Sequence, residues 1–265
     1  MGQVISFSEF SSYYSDLQKK PDYFPATILD TNILIALTYE VKSSHEEIFD
    51  FFEQHLIPRR DQGVRLFTTV TTRSEFLDFN RRLIMTEKLR DLVEMPKIKI
   101  TARAKAQIQY QSGQLKRREE RGGDAVFNDT QIKSIKSAFS AGRFSGQTGW
   151  IALCQEFLGG KLEQAEKNLA DLGIEYISQH ESLQHDLFIR KIDWPDARRT
   201  SEATCLGLSD SMILNAFQCS RFSFIVSSDF DIGYSVLASK SLKDVVMPDS
   251  VAKKYREYHF DSEVM

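Results

Sequence analysis

Ala26-Thr27-Ile28-Leu29-Asp30-Thr31-Asn32 is a short apolar, β-branched run that stops at an acid and turns polar. A run of this kind, bounded by polar residues, reads as a strand buried on both faces, the habit of parallel sheets. Phe222-Ser223-Phe224-Ile225-Val226-Ser227-Ser228 is a second such run, and it too stops at an acid, Asp229. Two parallel strands that each end in a carboxylate bring both acids to one sheet edge, where open α/β sheets bind their ligands. The expected fold class is therefore α/β.

Outward from these two strands, further strands are expected over 64–70, 174–177 and 245–246, and helices over 8–20, 31–39 and 44–55. Another helix carries Phe76, Phe79 and Leu83 on one face. Pro58-Arg59-Arg60-Asp61-Gln62-Gly63 reads as a turn. Gly122-Gly123 and Ser145-Gly146-Gln147-Thr148-Gly149 separate helices, and 150–158 and 162–172 have amphipathic spacing. Neither glycine segment has the residue order of a phosphate loop, so no ATP site is expected.

Two more acids call for explanation. Leu206, Ile213, Leu214 and Phe217 lie at offsets of minus four, three, four and seven from Asp210, which is one helix face. An ionised carboxylate amid an apolar stripe is desolvated unless a cation or several donors compensate it. A divalent ion would do so; Gly207 and Ser209 also allow the plainer reading, a helix cap. Thr72-Arg73-Ser74-Glu75 has the spacing of a capping box, and taken alone Glu75 is better read as a cap than as a ligand. Its place on the flank of its helix's apolar stripe still lets it reach the sheet edge. Asp30 can cap the helix that begins at Thr31-Asn32, and Asp229 with Asp231 can be an ordinary loop and cap.

The order of four separated pieces resembles the PIN-domain nuclease family: Ile28-Leu29-Asp30-Thr31-Asn32, Thr72-Arg73-Ser74-Glu75, Gly207-Leu208-Ser209-Asp210-Ser211-Met212-Ile213 and Ser227-Ser228-Asp229. The resemblance covers 25–95 and 173–248 as a discontinuous PIN-like nuclease core, with a helical basic insertion over 96–172 and terminal extensions over 1–24 and 249–265. It implies a parallel sheet of about five strands flanked by helices, with a ligand site at its carboxyl edge. It further implies that Asp30, Glu75, Asp210 and Asp229 are catalytic and coordinate Mg2+ or Mn2+, with Asp231 as an auxiliary metal ligand and Asn32 and Ser227 positioning substrate. The activity so implied is metal-assisted hydrolysis of phosphodiester bonds, in RNA before DNA, with a homodimer and an antitoxin-like inhibitor among the expected partners. The small toxin members of the family are much shorter, and the family pattern is silent on 96–172 and on both ends. Three rivals stand beside this reading: a non-catalytic PIN-like module that binds RNA or scaffolds a complex, a structure-specific DNA nuclease, and a phosphatase or phosphoacceptor protein. Phosphatases of that kind generally need a second acid two residues after the first, where this chain has Asn32.

Charge is unevenly distributed. Lys97 to Arg143 holds eleven Lys or Arg against four acids, a formal +7 in a chain of −3, which leaves −10 for the remainder. A basic arm in an otherwise acidic chain suits a polyanionic substrate. Lys116-Arg117-Arg118 with Arg121 is the expected RNA contact, and Tyr110 is the aromatic placed to stack on a base; the plain alternative is a solvated helix face. Cys154, Cys205 and Cys219 are odd in number and lack metal-ligand spacing, which fits a reducing cytoplasm. No apolar stretch approaches the ~20 residues needed to cross a bilayer, so no membrane association is expected. The N-terminal myristoylation pattern Met1-Gly2-Gln3-Val4-Ile5-Ser6 is short and is discounted. His45, His55, His180, His185 and His259 form no helical metal-binding pair, and no Gly-x-Ser-x-Gly elbow accompanies them.

Overall fold

The structure, a computed structural model, describes residues 2–94, 98–122, 125–143, 146–177, 184–239 and 241–257. Of the residues used above, Pro96, Lys97, Gly123, Asp124, Ser145, His180 and His259 lie outside the described residues. In chain order the elements are β1 (Val4–Ser6), α1 (Phe10–Leu17), β2 (Ala26–Leu29), α2 (Thr31–Thr38), α3 (His45–Phe51), α4 (Ile57–Asp61), β3 (Arg65–Thr68) and α5 (Val70–Leu92). There follow α6 (Ala102–Glu119), α7 (Asp129–Lys136), α8 (Trp150–Leu158), α9 (Lys161–Asp171), β4 (Ile174–Tyr176), α10 (Gln184–Leu187), α11 (Trp194–Thr204), α12 (Leu208–Cys219), β5 (Phe224–Val226), α13 (Phe230–Ala238), β6 (Asp244–Met247) and α14 (Asp249–Ala252). The chain divides into two compact units, 1–76 with 169–265, and 77–168.

The first unit is an α/β layer structure on a single six-stranded sheet, β1-β6-β5-β2-β3-β4, in which every pairing is parallel. From β2 the chain winds outward to β3 and β4, then returns to β5 on the other side of β2 and winds away to β6. The sense of winding therefore reverses between β2 and β5. The connections leaving these two neighbours diverge, which opens a crevice beyond their carboxyl ends. Ile28 pairs with Ile225 and Leu29 with Val226, and the Asp30 amide continues the ladder to the Val226 carbonyl at 2.9 Å. All four β2 residues are buried, as a strand covered on both faces requires. Thr27, the polar member, satisfies its hydroxyl by donating to the Phe224 carbonyl at 2.8 Å. Ile28, Phe67, Ile213, Phe217, Ile225 and Val245 belong to the core packed on this sheet.

Several elements depart from the sequence expectation, each for a local reason. β1 lies in the stretch taken as a terminal extension, yet it pairs with β6 through Val4, Ile5 and Ser6; three residues are too few to show a period. The expected turn at 58–63 is helical through Asp61. α4 continues α3 through a π-helical turn, Phe52–Leu56, that carries the chain into Pro58, and the chain turns at Gly63 with φ +99°. β3 ends at Thr68, because Thr69 starts a helix cap: the Thr69 amide donates to the Thr72 hydroxyl at 2.8 Å and the Thr72 amide to the Thr69 hydroxyl at 3.1 Å.

The second unit is helical. Leu89, Ile108, Leu115, Phe127, Ile135 and Leu153 are among the buried residues of its own core, and the Phe127 amide donates to the Thr86 hydroxyl at 2.8 Å. Thr101 caps α6 through the Ala104 amide, and Asn128 with Gln131 forms a capping box on α7. Among the described residues no helix is long and apolar enough to cross a membrane.

The contact between α13 and Tyr255 can be tested at Gly233, where an added Cβ would lie 2.2 Å from the Tyr255 hydroxyl and 2.6 Å from the Met247 sulfur. Overpacking of this kind costs about 1–3 kcal/mol, so Gly233→Ala should lower the thermal midpoint by several degrees. An unchanged midpoint in thermal denaturation would show that α13 does not pack on Tyr255 in this way.

Candidate metal centre

Asp30 is both a cap and a buried charge. It is the N-cap of α2, its Oδ1 accepts from the Thr31 amide at 2.7 Å, and its Oδ2 accepts from the Ser227 hydroxyl at 2.8 Å. The residue is 2% exposed. Burial pushes its pKa up to about 7, the Ser227 and Thr31 hydrogen bonds hold it down, and the charges of Asp229 and Asp210 push it further up. Ser227 is fully buried and also accepts from the Asp229 amide at 3.0 Å, so its hydroxyl orients a carboxylate and ties the end of β5 to the end of β2. Both bonds of the hydroxyl are thus made to the acidic segments of the site.

Asp229 is the N-cap of α13 and accepts from the Asp231 amide at 2.8 Å, while Asp231 is exposed in the first turn of that helix. Asp210 sits in the first turn of α12, whose N-cap is Gly207. The sequence expectation of a mid-stripe position is corrected here: Leu206 is buried but precedes the helix, so the stripe begins after Asp210. Asp210 is nevertheless pushed up to about 6, first by burial and then by the charges of Asp229, Glu75 and Asp231. Ser211, next to it, is fully buried with a hydroxyl that has no hydrogen-bond partner.

Glu75 is not the cap that its spacing suggested. The capping box of α5 is made one turn earlier by Thr69 and Thr72, because the helix begins at Val70. Glu75 instead accepts from the Thr31 hydroxyl at 2.6 Å. Thr31 thus serves two acids, Asp30 with its amide and Glu75 with its hydroxyl, a role the sequence reading missed. The available signal was its place between Asp30 and Asn32. Asn32 is half-buried and accepts from Lys42 Nζ at 3.2 Å through its side-chain oxygen. Tyr255 adds a phenol that burial, then the charges of Asp229 and Asp231, hold protonated.

Acids from four separate segments therefore meet at the switch point: Asp229 and Asp210 act on the ionisation of Asp30, and Asp229, Glu75 and Asp231 on that of Asp210. Yet among the described residues no three His, Cys, Asp or Glu side chains stand close enough together to hold a metal ion as they are. An all-oxygen donor set fits a hard cation such as Mg2+ or Mn2+.

No protein family, no curated protein and no solved structure matches this chain.

The expected RNA-contact residues lie in the second unit. Lys116, Arg117 and Arg121 are exposed, but Arg118 is half-buried and its guanidinium donates to the Val126 carbonyl, which makes it part of that unit's own structure. The free cysteines are scattered: Cys205 is exposed, Cys154 half-buried and Cys219 buried.

Because the folded protein holds a proton on Asp30 up to about pH 7 and the unfolded chain releases it near pH 4, this group's contribution to stability falls as pH rises through that window, by on the order of 4 kcal/mol. Urea denaturation in a chelator should show Asp30→Asn gaining on the parent as pH rises from about 4 to about 7. A difference between the two proteins that stays flat would reject the buried, uncompensated carboxylate.

Proposed function

We propose that this chain is a metal-dependent nuclease that hydrolyses phosphodiester bonds in RNA. The observation that carries the proposal is the meeting of acids from four segments at the carboxyl edge, where Asp229 and Asp210 push Asp30 up and Asp229, Glu75 and Asp231 push Asp210 up. A metal bound there supplies Lewis acidity toward the phosphate and lowers the pKa of the attacking water. Asp30, Glu75, Asp210 and Asp229 would hold it, with Asp231 at the rim. Ser227 and Thr31 keep the Asp30 carboxylate in one orientation, and the Thr31 hydroxyl does the same for Glu75. Asn32 keeps its amide N–H donors for a phosphate oxygen, since its side-chain oxygen is engaged by Lys42. The resemblance to PIN-domain nucleases supports the same reading, and the three free thiols suit a cytoplasmic setting.

A second reading, a non-catalytic module that binds RNA through the same fold, draws on the exposed cations Lys116, Arg117 and Arg121. Metal titration separates the two. Mn2+ should raise the thermal midpoint of the parent, as any ligand of the folded state does, and not that of the Asp30→Asn, Asp210→Asn double variant.

Incubated with single-stranded RNA, tRNA or flap DNA, the parent should cleave RNA with Mn2+ or Mg2+ and not with a chelator. Asp30→Asn or Asp210→Asn alone should lower the rate by roughly a thousandfold or more, consistent with loss of several kcal/mol of charge stabilisation, while the protein stays folded by circular dichroism. Metal-dependent turnover retained in both variants would reject the site, and preference for the flap would move the assignment to DNA.

A further inference from the structure

The outer face of α6 carries a stripe that no part of the carboxylate site uses. Ala104, Ile108, Gln111 and Leu115 are buried on one side of this helix. On the other, Arg103, Ala106, Tyr110, Gly113 and Arg117 follow one another at steps of three and four residues, which makes them neighbours along one line, and every one is exposed. Arg103 and Arg117 are about 21 Å apart along the helix, with Tyr110 midway. Tyr110 is 60% exposed, far more than a ring of its size needs if its only duty is packing. Ala106 and Gly113 flank it with almost no side chain, and a Cβ at Gly113 would meet nothing within 4 Å.

The use of charge in this unit sharpens the point. Arg81 pairs with Asp78 and Asp129, Arg82 with Asp78, and Arg90 with Glu119. Arg118 is bound to the Val126 carbonyl. Arg103 and Arg117, together with Lys116 on the flank and Arg121 just past the helix end, pair with none of the described acids. Cations that merely solubilise a helix need no aromatic between them, whereas a phosphate chain with unpaired bases calls for that combination.

We propose that the Arg103, Tyr110, Arg117 stripe of α6 binds single-stranded RNA, with Tyr110 stacking on an unpaired base and the two arginines taking phosphates on either side. The proposal rests on the nucleic-acid reading above but not on its chemistry. A duplex keeps its bases stacked on one another and offers Tyr110 no face, so the stripe selects single strands.

The test is fluorescence anisotropy of a labelled single-stranded RNA with the full chain, in EDTA so that no turnover intervenes. Single strands should bind more tightly than the same sequence as a duplex. Tyr110→Ala should weaken binding roughly tenfold and Tyr110→Phe should restore it. Arg103→Ala with Arg117→Ala should reduce the slope of log affinity against log salt by about 1.4. All three positions of change are exposed, and unchanged thermal midpoints confirm folding. Binding unaffected by Tyr110→Ala and by the double arginine change overturns the proposal, as does no binding by the parent or equal binding of duplex, single strand and an acidic polypeptide. Binding as expected without any Mn2+-dependent cleavage supports the stripe and removes the nuclease reading alone.

Discussion

A carboxylate buried between the two central strands is the constraint on which the first unit depends. Asp30 is 2% exposed, and its two oxygens each accept a hydrogen bond, one from the helix that follows β2 and one from the hydroxyl that ends β5. These bonds fix the exit of β2 against the exit of β5, where the winding of the sheet reverses. They offset only part of the desolvation of the charge, as the upward shift of Asp30 records. Below about pH 7 a proton meets that cost, and above it the buried carboxylate stands as a charge only partly compensated.

Why several acids meet there follows from parallel-sheet geometry. Each strand hands the chain to a helix at the same edge, and helix N-termini favour anions through their free amides and dipole. Asp30 and Asp229 are N-caps, and Asp210 and Asp231 stand in first turns. Capping and ligation are thus not rivals in this chain: the same placement that satisfies a helix end also aims the carboxylate into the crevice. Glu75 is the exception. It lies beyond the first turn of α5, whose end is capped by Thr69 and Thr72, and it accepts from the Thr31 hydroxyl.

The second unit handles charge in the opposite way. Asp78, Asp129 and Glu119 are matched by Arg81, Arg82 and Arg90, and unmatched positive charge appears on the outer face of α6. Under the proposed function, an anionic crevice in one unit and a cationic helix face in the other would each answer to a phosphate polymer, one through a bound cation and one directly.

The two central strands, the parallel sheet and the acids at their ends were legible in the sequence, because β-branched runs closed by Asp have a strong local signature and burial on both faces leaves no alternation to confuse. So was the helical, basic middle of the chain. The pairing of β1 with β6 was not, since a three-residue strand carries no period and its partner lies more than two hundred residues away. Nor could sequence alone decide what Glu75, Asp210 and Ser227 do: local hydrogen bonding sets where a helix starts to within about a turn, and that choice moves Glu75 out of a cap and Asp210 into a first turn. Residue type and order determined which charges this protein carries; only the tertiary structure decided which of them face one another, because the distances that set their ionisation arise from strands brought together across the chain.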